Sequence, residues 1–304
     1  MSKNTPLITV NHFRMDFDKK TVIKNLSFDI KRGETFGLLG SNGSGKTTTI
    51  RALLGIYQPT SGELFIDGEP YRVDGDVKLG YLPEERGLYK KEKVLDTMMY
   101  FGQLKGLSRI DAKLWSLDFL KRVGLEAEAN TRLDKLSGGM QQKIQLGIAV
   151  MGEPQLLILD EPTKGFDPIN RRLLMDIIEE HQHGGATVIF VTHQMEEVER
   201  LCDRILLLKD GQRRLYGTVE EVKDQFGGKI LEIVSDDTVP ANDKLYTIER
   251  KEGHLTILNP IGDLLAIQRS LTGSGVTCLR FELKRPSLDD IFVDVYGHHS
   301  KEDN

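Results

Sequence analysis

One octet, residues 40–47, contains the side chains best suited to chemistry in this chain. It reads Gly-Ser-Asn-Gly-Ser-Gly-Lys-Thr and fits the phosphate-binding pattern G-x-x-x-x-G-K-[ST] at every fixed position. Lys46 adds a positive charge for the outer phosphates, and Thr47 offers a hydroxyl to Mg²⁺. A glycine lets the backbone come close to a polyphosphate with its N–H groups pointing inward, and the octet has three, Gly40, Gly43 and Gly45.

The segments on either side of the octet have the pattern that such a loop needs. Residues 35–39 form an apolar run typical of a buried strand, and residues 48–54 have the composition of a helix. A strand, a glycine loop and a helix in this order place the helix N-terminus, which attracts anions, at the phosphate group.

Two carboxylates follow another apolar run at residues 156–161, which read Leu-Leu-Ile-Leu-Asp-Glu. The run predicts a central strand whose carboxyl end carries Asp160 and Glu161, where ligands of α/β sheets bind. Asp160 is suited to hold Mg²⁺, directly or through water, and Glu161 to accept a proton from an attacking water.

A second anion-binding helix start is predicted at residues 136–142, Leu-Ser-Gly-Gly-Met-Gln-Gln. Ser137 stands where a helix begins, and the two glycines after it expose the first backbone amides. This segment lies roughly a hundred residues after the first anion-binding loop and ahead of the strand that carries the two carboxylates.

The remaining pattern before residue 226 predicts both antiparallel and parallel structure. Alternating residues 7–35 predict an antiparallel hairpin, and the period of 3.6 between residues 94 and 150 predicts a helical insertion. The apolar run 186–191 is typical of a buried parallel strand. Residues 204–217 predict a strand pair that turns at Asp210-Gly211.

The last part of the chain predicts a small α+β domain. Gly227-Gly228 is a plausible boundary, and the tail 298–304 is polar. The predicted elements between them are strands near 229–235, 244–250 and 254–258, a helix near 261–271, a strand near 276–284 and a helix near 287–296.

Composition limits the function classes. The 304 residues carry a net charge of −5, which argues against non-specific nucleic-acid binding. No apolar run approaches the ~18 residues of a membrane span, and the first residues lack the apolar core of a signal peptide. Cys202 and Cys278 are far apart and are expected to be reduced thiols, as in the cytosol.

These motifs, in this order and spacing, resemble the ATP-binding subunit of an ABC transporter over residues 7 to about 225. The resemblance implies an α/β P-loop NTPase fold with an antiparallel β subdomain and a helical subdomain at about 90–150. We therefore expect an ATP-binding domain at 1–226 and a small α+β accessory domain at 228–297.

The resemblance also implies roles for individual residues. Phe17 matches the aromatic residue that stacks on adenine, and His193 matches the residue that contacts the γ-phosphate. The implied catalytic residues are Glu161, His193 and Lys46, and the implied metal ligands are Thr47, Asp160 and Glu84. The implied nucleotide-binding set is Phe17, Gly40, Ser41, Asn42, Gly43, Ser44, Gly45, Lys46, Thr47 and Thr48. The signature loop is implied to contact the ATP of the partner subunit, and it consists of Leu136, Ser137, Gly138, Gly139 and Met140. A second loop is implied to cross to the partner subunit, and it consists of Gly165, Phe166 and Asp167.

Two positions depart from the commonest family pattern. Glu84 stands where the family usually has a glutamine that touches Mg²⁺ and the attacking water, and Met140 stands where glutamine usually ends the signature. The stretches 80–89 and 286–292 resemble the type-2 exporter branch, which includes sodium and drug exporters. The apolar stripe within 288–295 either packs on its own domain or holds two subunits together.

The resemblance implies a Mg²⁺-dependent ATPase that forms a head-to-tail homodimer around two ATP molecules. It implies a peripheral position on the cytoplasmic face of the cell membrane and a partner permease made of separate chains. The alternatives are an importer ATPase with a regulatory C-terminal domain, a non-transport ABC ATPase acting on ribosomes or DNA, and a module that senses ATP without hydrolysing it.

Overall fold

The computed structural model describes four stretches of the chain, residues 6–70, 75–85, 87–225 and 230–297. Two compact units divide the chain, Met1–Gly217 and Thr218–Asn304. The predicted boundary at Gly227-Gly228 and the polar tail 298–304 lie outside the described residues, as does Arg86.

The strands of the first unit form two sheets. They are β1 (Pro6–Phe17), β2 (Lys20–Lys31), β3 (Thr35–Leu39), β4 (Ser61–Ile66), β5 (Leu79–Leu82), β6 (Leu156–Asp160), β7 (Thr187–Thr192), β8 (Arg204–Lys209) and β9 (Gln212–Thr218). One sheet has the order β2-β1-β4, and the other has the order β5-β6-β7-β3-β8-β9.

The three-stranded sheet is antiparallel, which confirms the hairpin predicted from the alternating residues. β1 pairs with β2 and with β4, and the register shifts in several places along each pairing. Apolar side chains of β1, among them Ile8, Val10 and Phe13, are buried in the core that the two sheets share. The sheet thus covers one face of the core and ends beside the phosphate loop.

The six-stranded sheet is built around parallel strands that are buried on both faces. Every residue of β3, β6 and β7 is buried, as their continuous apolar runs predict. β7 lies between β6 and β3 and pairs in parallel with both. The carboxyl ends of these three strands therefore meet at one edge of the sheet, where the phosphate loop, the two carboxylates and His193 follow them.

The helices of the first unit flank the parallel sheet and build the predicted insertion. They are α1 (Lys46–Leu53), α2 (Val94–Leu104), α3 (Arg109–Arg122), α4 (Gly138–Val150), α5 (Pro168–His183) and α6 (Met195–Leu201). Short 3₁₀ turns at Glu126–Glu128 and Leu133–Lys135 connect α3 to α4. The turn between β8 and β9 has positive φ at both Asp210 and Gly211, as a two-residue hairpin turn of type I′ requires.

The second unit contains α7 (Val219–Gln225), β10 (Ile230–Val234), β11 (Tyr246–Glu252), β12 (Leu255–Pro260), α8 (Leu264–Gly273), β13 (Arg280–Lys284) and α9 (Leu288–Gly297). Its sheet is antiparallel with the order β11-β12-β10-β13. Its core is formed by Leu231, Ile233, Val239, Tyr246, Leu258, Ile267, Leu271 and Val276. The predicted α+β architecture is confirmed.

Two boundaries in this unit differ from the prediction. The helix expected from residue 261 begins at Leu264, because the Asp263 side chain accepts a hydrogen bond from the Ala266 amide and caps it there. The strand expected from residue 276 begins at Arg280, because its partner β10 ends at Val234, which pairs with Arg280. The amide of Leu279 still donates to the Val234 carbonyl oxygen at 2.7 Å, but the residues before it have no paired partner in β10.

Candidate active site

The phosphate loop joins β3 to α1 and needs its glycines for two different reasons. Gly40 has a φ of 151° and Gly45 a φ of 111°, both in the region that favours glycine. A Cβ atom at Gly40 would lie 2.5 Å from the Leu208 carbonyl oxygen, and one at Gly45 would lie 2.3 Å from Cδ1 of Ile23. Gly43 has a φ of 79° and open space around it, so only its backbone conformation selects glycine.

Lys46 folds back over the loop that precedes it. Its Nζ donates to the carbonyl oxygens of Gly40 at 2.7 Å and Ser41 at 3.2 Å, and the side chain is buried. Burial lowers the pKa of Lys46, and the charges of Glu161 and Asp160 oppose that shift. The ammonium is therefore already positioned inside the loop, where an anion would strengthen its charged form.

A cavity of about 410 Å³ opens over this loop. Its walls combine phosphate-loop residues with three carboxylates from two other strand ends, and they consist of Lys20, Val22, Asn42, Gly43, Gly45, Lys46, Thr47, Thr48, Glu84, Asp160 and Glu161. The structure thus brings the predicted phosphate-binding and metal-binding residues together. A second cavity, of about 720 Å³, contains none of these residues and lies at the opposite ends of β6 and β7.

Asp160 lies at the end of β6 and faces Thr47. The Thr47 hydroxyl donates to Oδ2 of Asp160 across 3.5 Å, and the aspartate is 2% exposed. The pKa of Asp160 is raised to about 6, mainly by burial and also by the neighbouring carboxylates of Glu84 and Glu161. The carboxylates of Glu84, Asp160 and Glu161 thus lie close together, and a divalent cation bound there would offset their negative charge.

Glu161 follows Asp160 and is held by His193, which follows the neighbouring strand β7. Nδ1 of His193 lies 2.8 Å from Oε1 of Glu161. The Glu161 side chain is buried, and its other oxygen, Oε2, has no hydrogen-bond partner within the described residues. The backbone of Glu161 has a φ of 49°, an uncommon conformation for a glutamate. The carboxylate is thus oriented through one oxygen, while the other is buried and unpartnered within the described residues.

Glu84 reaches the same cavity from the end of β5 and forms an ion pair with Lys164. Nζ of Lys164 lies 2.6 Å from Oε1 of Glu84, and the two side chains are 61% and 41% exposed. Lys164 follows Glu161 closely in sequence, and its backbone N–H donates to the Glu161 carbonyl oxygen at 3.2 Å. Two neighbouring strand ends are therefore linked by this pair.

Phe17, the predicted adenine-stacking residue, lies at the end of β1 outside the wall of the cavity. Its ring is 40% exposed and packs edge-on against Tyr57, with 5.3 Å between the ring centroids. An exposed aromatic face near Lys20, which does line the cavity, is compatible with the role that the resemblance implies.

The signature loop and the 165–167 loop contact each other but do not line the cavity of their own chain. Ser137 caps α4 by accepting a hydrogen bond from the Met140 amide at 3.3 Å. Asp167 caps α5 in the same way through the Asn170 amide at 2.9 Å, and the ring of Phe166 lies against Gly139. Ser137 is exposed and lies outside the wall of this chain's phosphate cavity.

Three further residues belong to the site but carry no motif signal. Lys20 lines the cavity from β2, Lys164 pairs with Glu84, and Gln142 donates to the Pro162 carbonyl oxygen at 2.6 Å beside Glu161. In the sequence, Lys164 and Gln142 could be found as site residues only because they lie next to a motif. Lys20 reaches the phosphate loop only through the geometry of the hairpin.

Comparison with known proteins gives two matches to family models that together span most of the chain. Residues 23–164 match the ABC transporter family, and residues 217–296 match the C-terminal domain of ATP-binding proteins like DrrA1-3. The linearmycin resistance ATP-binding protein LnrL of Bacillus subtilis (strain 168) is 37% identical over 310 residues, covering 96% of this chain and 98% of LnrL. The chain belongs to the ATP-binding proteins of ABC transporters.

Two other similar proteins agree with this assignment. The Nod factor export ATP-binding protein I of Paraburkholderia xenovorans (strain LB400) is 32% identical, covering 97% of this chain and 98% of that protein. A solved ATP-binding subunit of an ABC transporter has a TM-score of 0.67 and 30% identity, covering 73% of this chain and 93% of that one. The resemblance and the fold class predicted from the sequence are confirmed.

Family membership implies an ATP-binding protein with ATPase activity that works with separate membrane permease components. Within the parts of the chain that the structure describes, no helix combines the length and the apolar character needed to span a membrane.

Proposed function

We propose that this chain is the Mg²⁺-dependent ATPase subunit of an ABC exporter, acting as a homodimer on the cytoplasmic face of the cell membrane. The observation that carries the hydrolytic part is the arrangement around Glu161. The Glu161 side chain forms part of the wall of the phosphate cavity. One of its carboxylate oxygens lies 2.8 Å from Nδ1 of His193, and the other has no hydrogen-bond partner among the described residues. The names of two similar proteins, one a resistance and one an export ATP-binding protein, support the exporter assignment.

The residues at the cavity suit a magnesium ion. Thr47 and Asp160 place two hard oxygen ligands 3.5 Å apart. The pKa of Asp160 is raised first by burial and then by the negative charges of Glu84 and Glu161, and a cation would offset those charges. Glu84 supplies a third carboxylate in the same wall. When bound, Mg²⁺ would neutralise the phosphate charge that develops during transfer.

The chain's own groups account for phosphate binding and for activation of water. Lys46 and the amides at the start of α1 would hold the outer phosphates, because the Lys46 ammonium already lies in the loop and a helix N-terminus attracts anions. Oε2 of Glu161 would accept the proton of a water aimed at the γ-phosphate, while His193 fixes the orientation of the carboxylate. A general base held this way loses little entropy when the reaction begins.

Homodimerisation is supported by what the cavity lacks. The signature loop 136–140 is a second anion-binding helix start, but it contributes nothing to the wall of its own chain's cavity. A second copy placed head to tail would bring its Ser137 to this chain's nucleotide, and each site would then combine donors from two chains.

The hydrolytic role is tested by Glu161→Gln. We expect turnover to fall at least ~10²-fold while ATP still binds, because the variant loses the general base and keeps the phosphate loop. The matched control is Glu126→Gln, an exposed glutamate outside the cavity. Turnover within a few-fold of wild type would remove Glu161 from this role. Lys46→Ala should abolish binding and activity together, whereas retained nucleotide affinity would contradict the role of Lys46.

The dimer is tested by light scattering of Glu161→Gln in saturating MgATP, because blocked hydrolysis traps the closed state. We expect the mass of two protomers with MgATP and of one protomer without it. One protomer in both conditions would count against the homodimer.

The transport assignment is tested by affinity capture from detergent-solubilised membranes of the source organism. We expect an integral membrane protein with about six spans (about 20 apolar residues each) to copurify and to stimulate ATP hydrolysis. Copurification of ribosomes or DNA-associated proteins instead would favour the non-transport alternative. Net uptake by the reconstituted complex would favour the importer alternative.

A further inference from the structure

Three carboxylates line one wall of a cavity that must receive a polyphosphate. They are Glu84, Asp160 and Glu161. Asp160 and Glu161 have partners inside the site, namely Thr47 and His193. Glu84 is different, because its partner is a lysine ammonium, that of Lys164.

Glu84 affects its surroundings as a charge. Among the neighbouring charges, it contributes most to raising the pKa of Asp160, and it also raises the pKa of Lys164. Without a nearby cation, its charge would oppose the bound phosphates as well as the ionised form of Asp160.

The backbone brings Lys164 to Glu84 by a short and defined route. β5 and β6 are parallel neighbours, with Leu82 opposite Leu159, so the residues after them leave the sheet side by side. The amide of Lys164 donates to the Glu161 carbonyl oxygen in the turn that carries the general base. Lys164 therefore stands between Glu161 and the 165–167 loop while its ammonium reaches Glu84.

We propose that Lys164 is a positioning residue that holds the Glu84 carboxylate at the rim of the phosphate cavity and offsets its charge, so that an acidic side chain is compatible with nucleotide binding there. This inference rests on the proposed ATPase function. The pair contributes little to folding because both side chains are partly exposed, so its loss is expected to act on the site.

The test is a double-mutant cycle on the full-length protein, with Lys164→Met, Glu84→Gln and the combined variant. Steady-state ATPase assays and titration with a fluorescent ATP analogue are run on each. Lys164→Met should raise KM and the analogue's Kd about 3- to 10-fold, the range expected for one uncompensated and partly screened charge. We expect kcat to change less, because Glu161 and His193 are untouched.

The decisive comparison is the effect of Lys164→Met when Glu84 is already glutamine. With no carboxylate left to compensate, the second substitution should change KM less than twofold. Lys164→Arg should retain most of the wild-type affinity, and 0.5 M salt should shrink the Lys164→Met effect. Lys113→Met, at an exposed lysine of α3, is the matched control and should leave KM unchanged.

Two outcomes overturn the inference while leaving the proposed function intact. One is an equal effect of Lys164→Met with glutamate or glutamine at position 84, and the other is no effect in either background. Wild-type protein that neither binds the analogue nor hydrolyses ATP would instead overturn the proposed function, and the inference with it.

Discussion

Glu197 is a buried carboxylate behind the candidate site, and its contact with Thr163 gives a sharp stability prediction. Glu197 is 4% exposed and Thr163 is fully buried. The Thr163 hydroxyl donates to Oε2 of Glu197 at 2.9 Å, and Nε of Arg171 lies 3.4 Å from Oε1. Thr163→Val keeps the shape of the side chain and removes only the donor.

The expected cost follows from the charge of the acceptor. A hydrogen bond to a charged group contributes about 1.5–3 kcal/mol, and the variant leaves one buried oxygen of Glu197 without its donor. With a urea slope of about 2–3 kcal/mol per M, a loss of about 2 kcal/mol lowers the unfolding midpoint by roughly 0.7–1 M. Trp115, the single tryptophan, stacks on Phe119 in the same compact unit and reports this transition by fluorescence.

The pH dependence separates this explanation from a general packing defect. Burial raises the pKa of Glu197, while Thr163 and Arg171 oppose the shift. A carboxyl whose pKa is raised on folding contributes stability below its unfolded pKa of about 4.5, and that contribution is lost as pH rises through the folded pKa. Removing the Thr163 donor raises the folded pKa further, so the loss should be larger at about pH 7.5 than at about pH 5.

Thr163→Ser is the matched control, since it keeps the hydroxyl and removes one methyl group. Its cost should be about 1 kcal/mol and independent of pH. Equal losses for Thr163→Val at both pH values, or equal losses for the valine and serine variants, would refute the reasoning.

Three further predictions concern other parts of the molecule. Ser137→Ala removes the cap of α4, so it should lower the free energy of unfolding by about 1 kcal/mol and also lower kcat. Ser108→Ala removes the cap of α3 at a similar cost in stability and should leave ATPase activity unchanged. Equal activities of the two variants would contradict the role of the signature loop. Lys105 donates to three carbonyl oxygens at the end of α4, and burial lowers its pKa to about 8, below about 10.5 in the unfolded chain. The stability that this lowered pKa contributes is present above about pH 10.5 and is lost as pH falls through about 8. Urea titrations should therefore show wild type gaining stability relative to Lys105→Met between about pH 7.5 and 10. A constant difference in stability across that range would argue against the lowered pKa. Tyr246→Phe removes the hydroxyl that donates to the Pro240 carbonyl oxygen at 2.8 Å. Hydrogen exchange in β11 and β12 should report a loss of about 1 kcal/mol of stability, and an unchanged exchange rate would contradict this prediction.

The sequence predicts the site residues well where a local pattern and a chemical role coincide. Residues 40–47 have fixed glycine and lysine positions because the loop geometry tolerates little else, and the two carboxylates follow an apolar run of strand length. Three strand ends that meet at one sheet edge then bring Lys46, Asp160 and His193 into one neighbourhood. The roles of these residues stay predictions until the variants are measured.

Contacts between segments distant in sequence could not be predicted in this way. Nothing in the pattern of β2 indicates that Lys20 faces the phosphate cavity, because its side chain reaches there through the hairpin's bends. The pairing of Lys164 with Glu84 depends on which strands are neighbours in the sheet. The order of strands in a sheet cannot be predicted from the local periodicity of the sequence. The start of β13 likewise depends on where its partner strand ends.

Helix α4 contacts the loop of Glu84 and begins at the signature loop, so we expect it to couple these two parts of the site. A Cβ atom at Gly80 in β5 would lie 2.2 Å from the Ala149 carbonyl oxygen, which shows how closely the strand approaches the end of this helix. Nε2 of Gln145, within α4, donates to the Glu85 carbonyl oxygen at 3.3 Å. The other end of the same helix starts at Ser137. Since a helix of 13 residues is a rigid element, we expect a displacement of the Glu84 loop to reach Ser137, which lies outside the wall of this chain's own cavity.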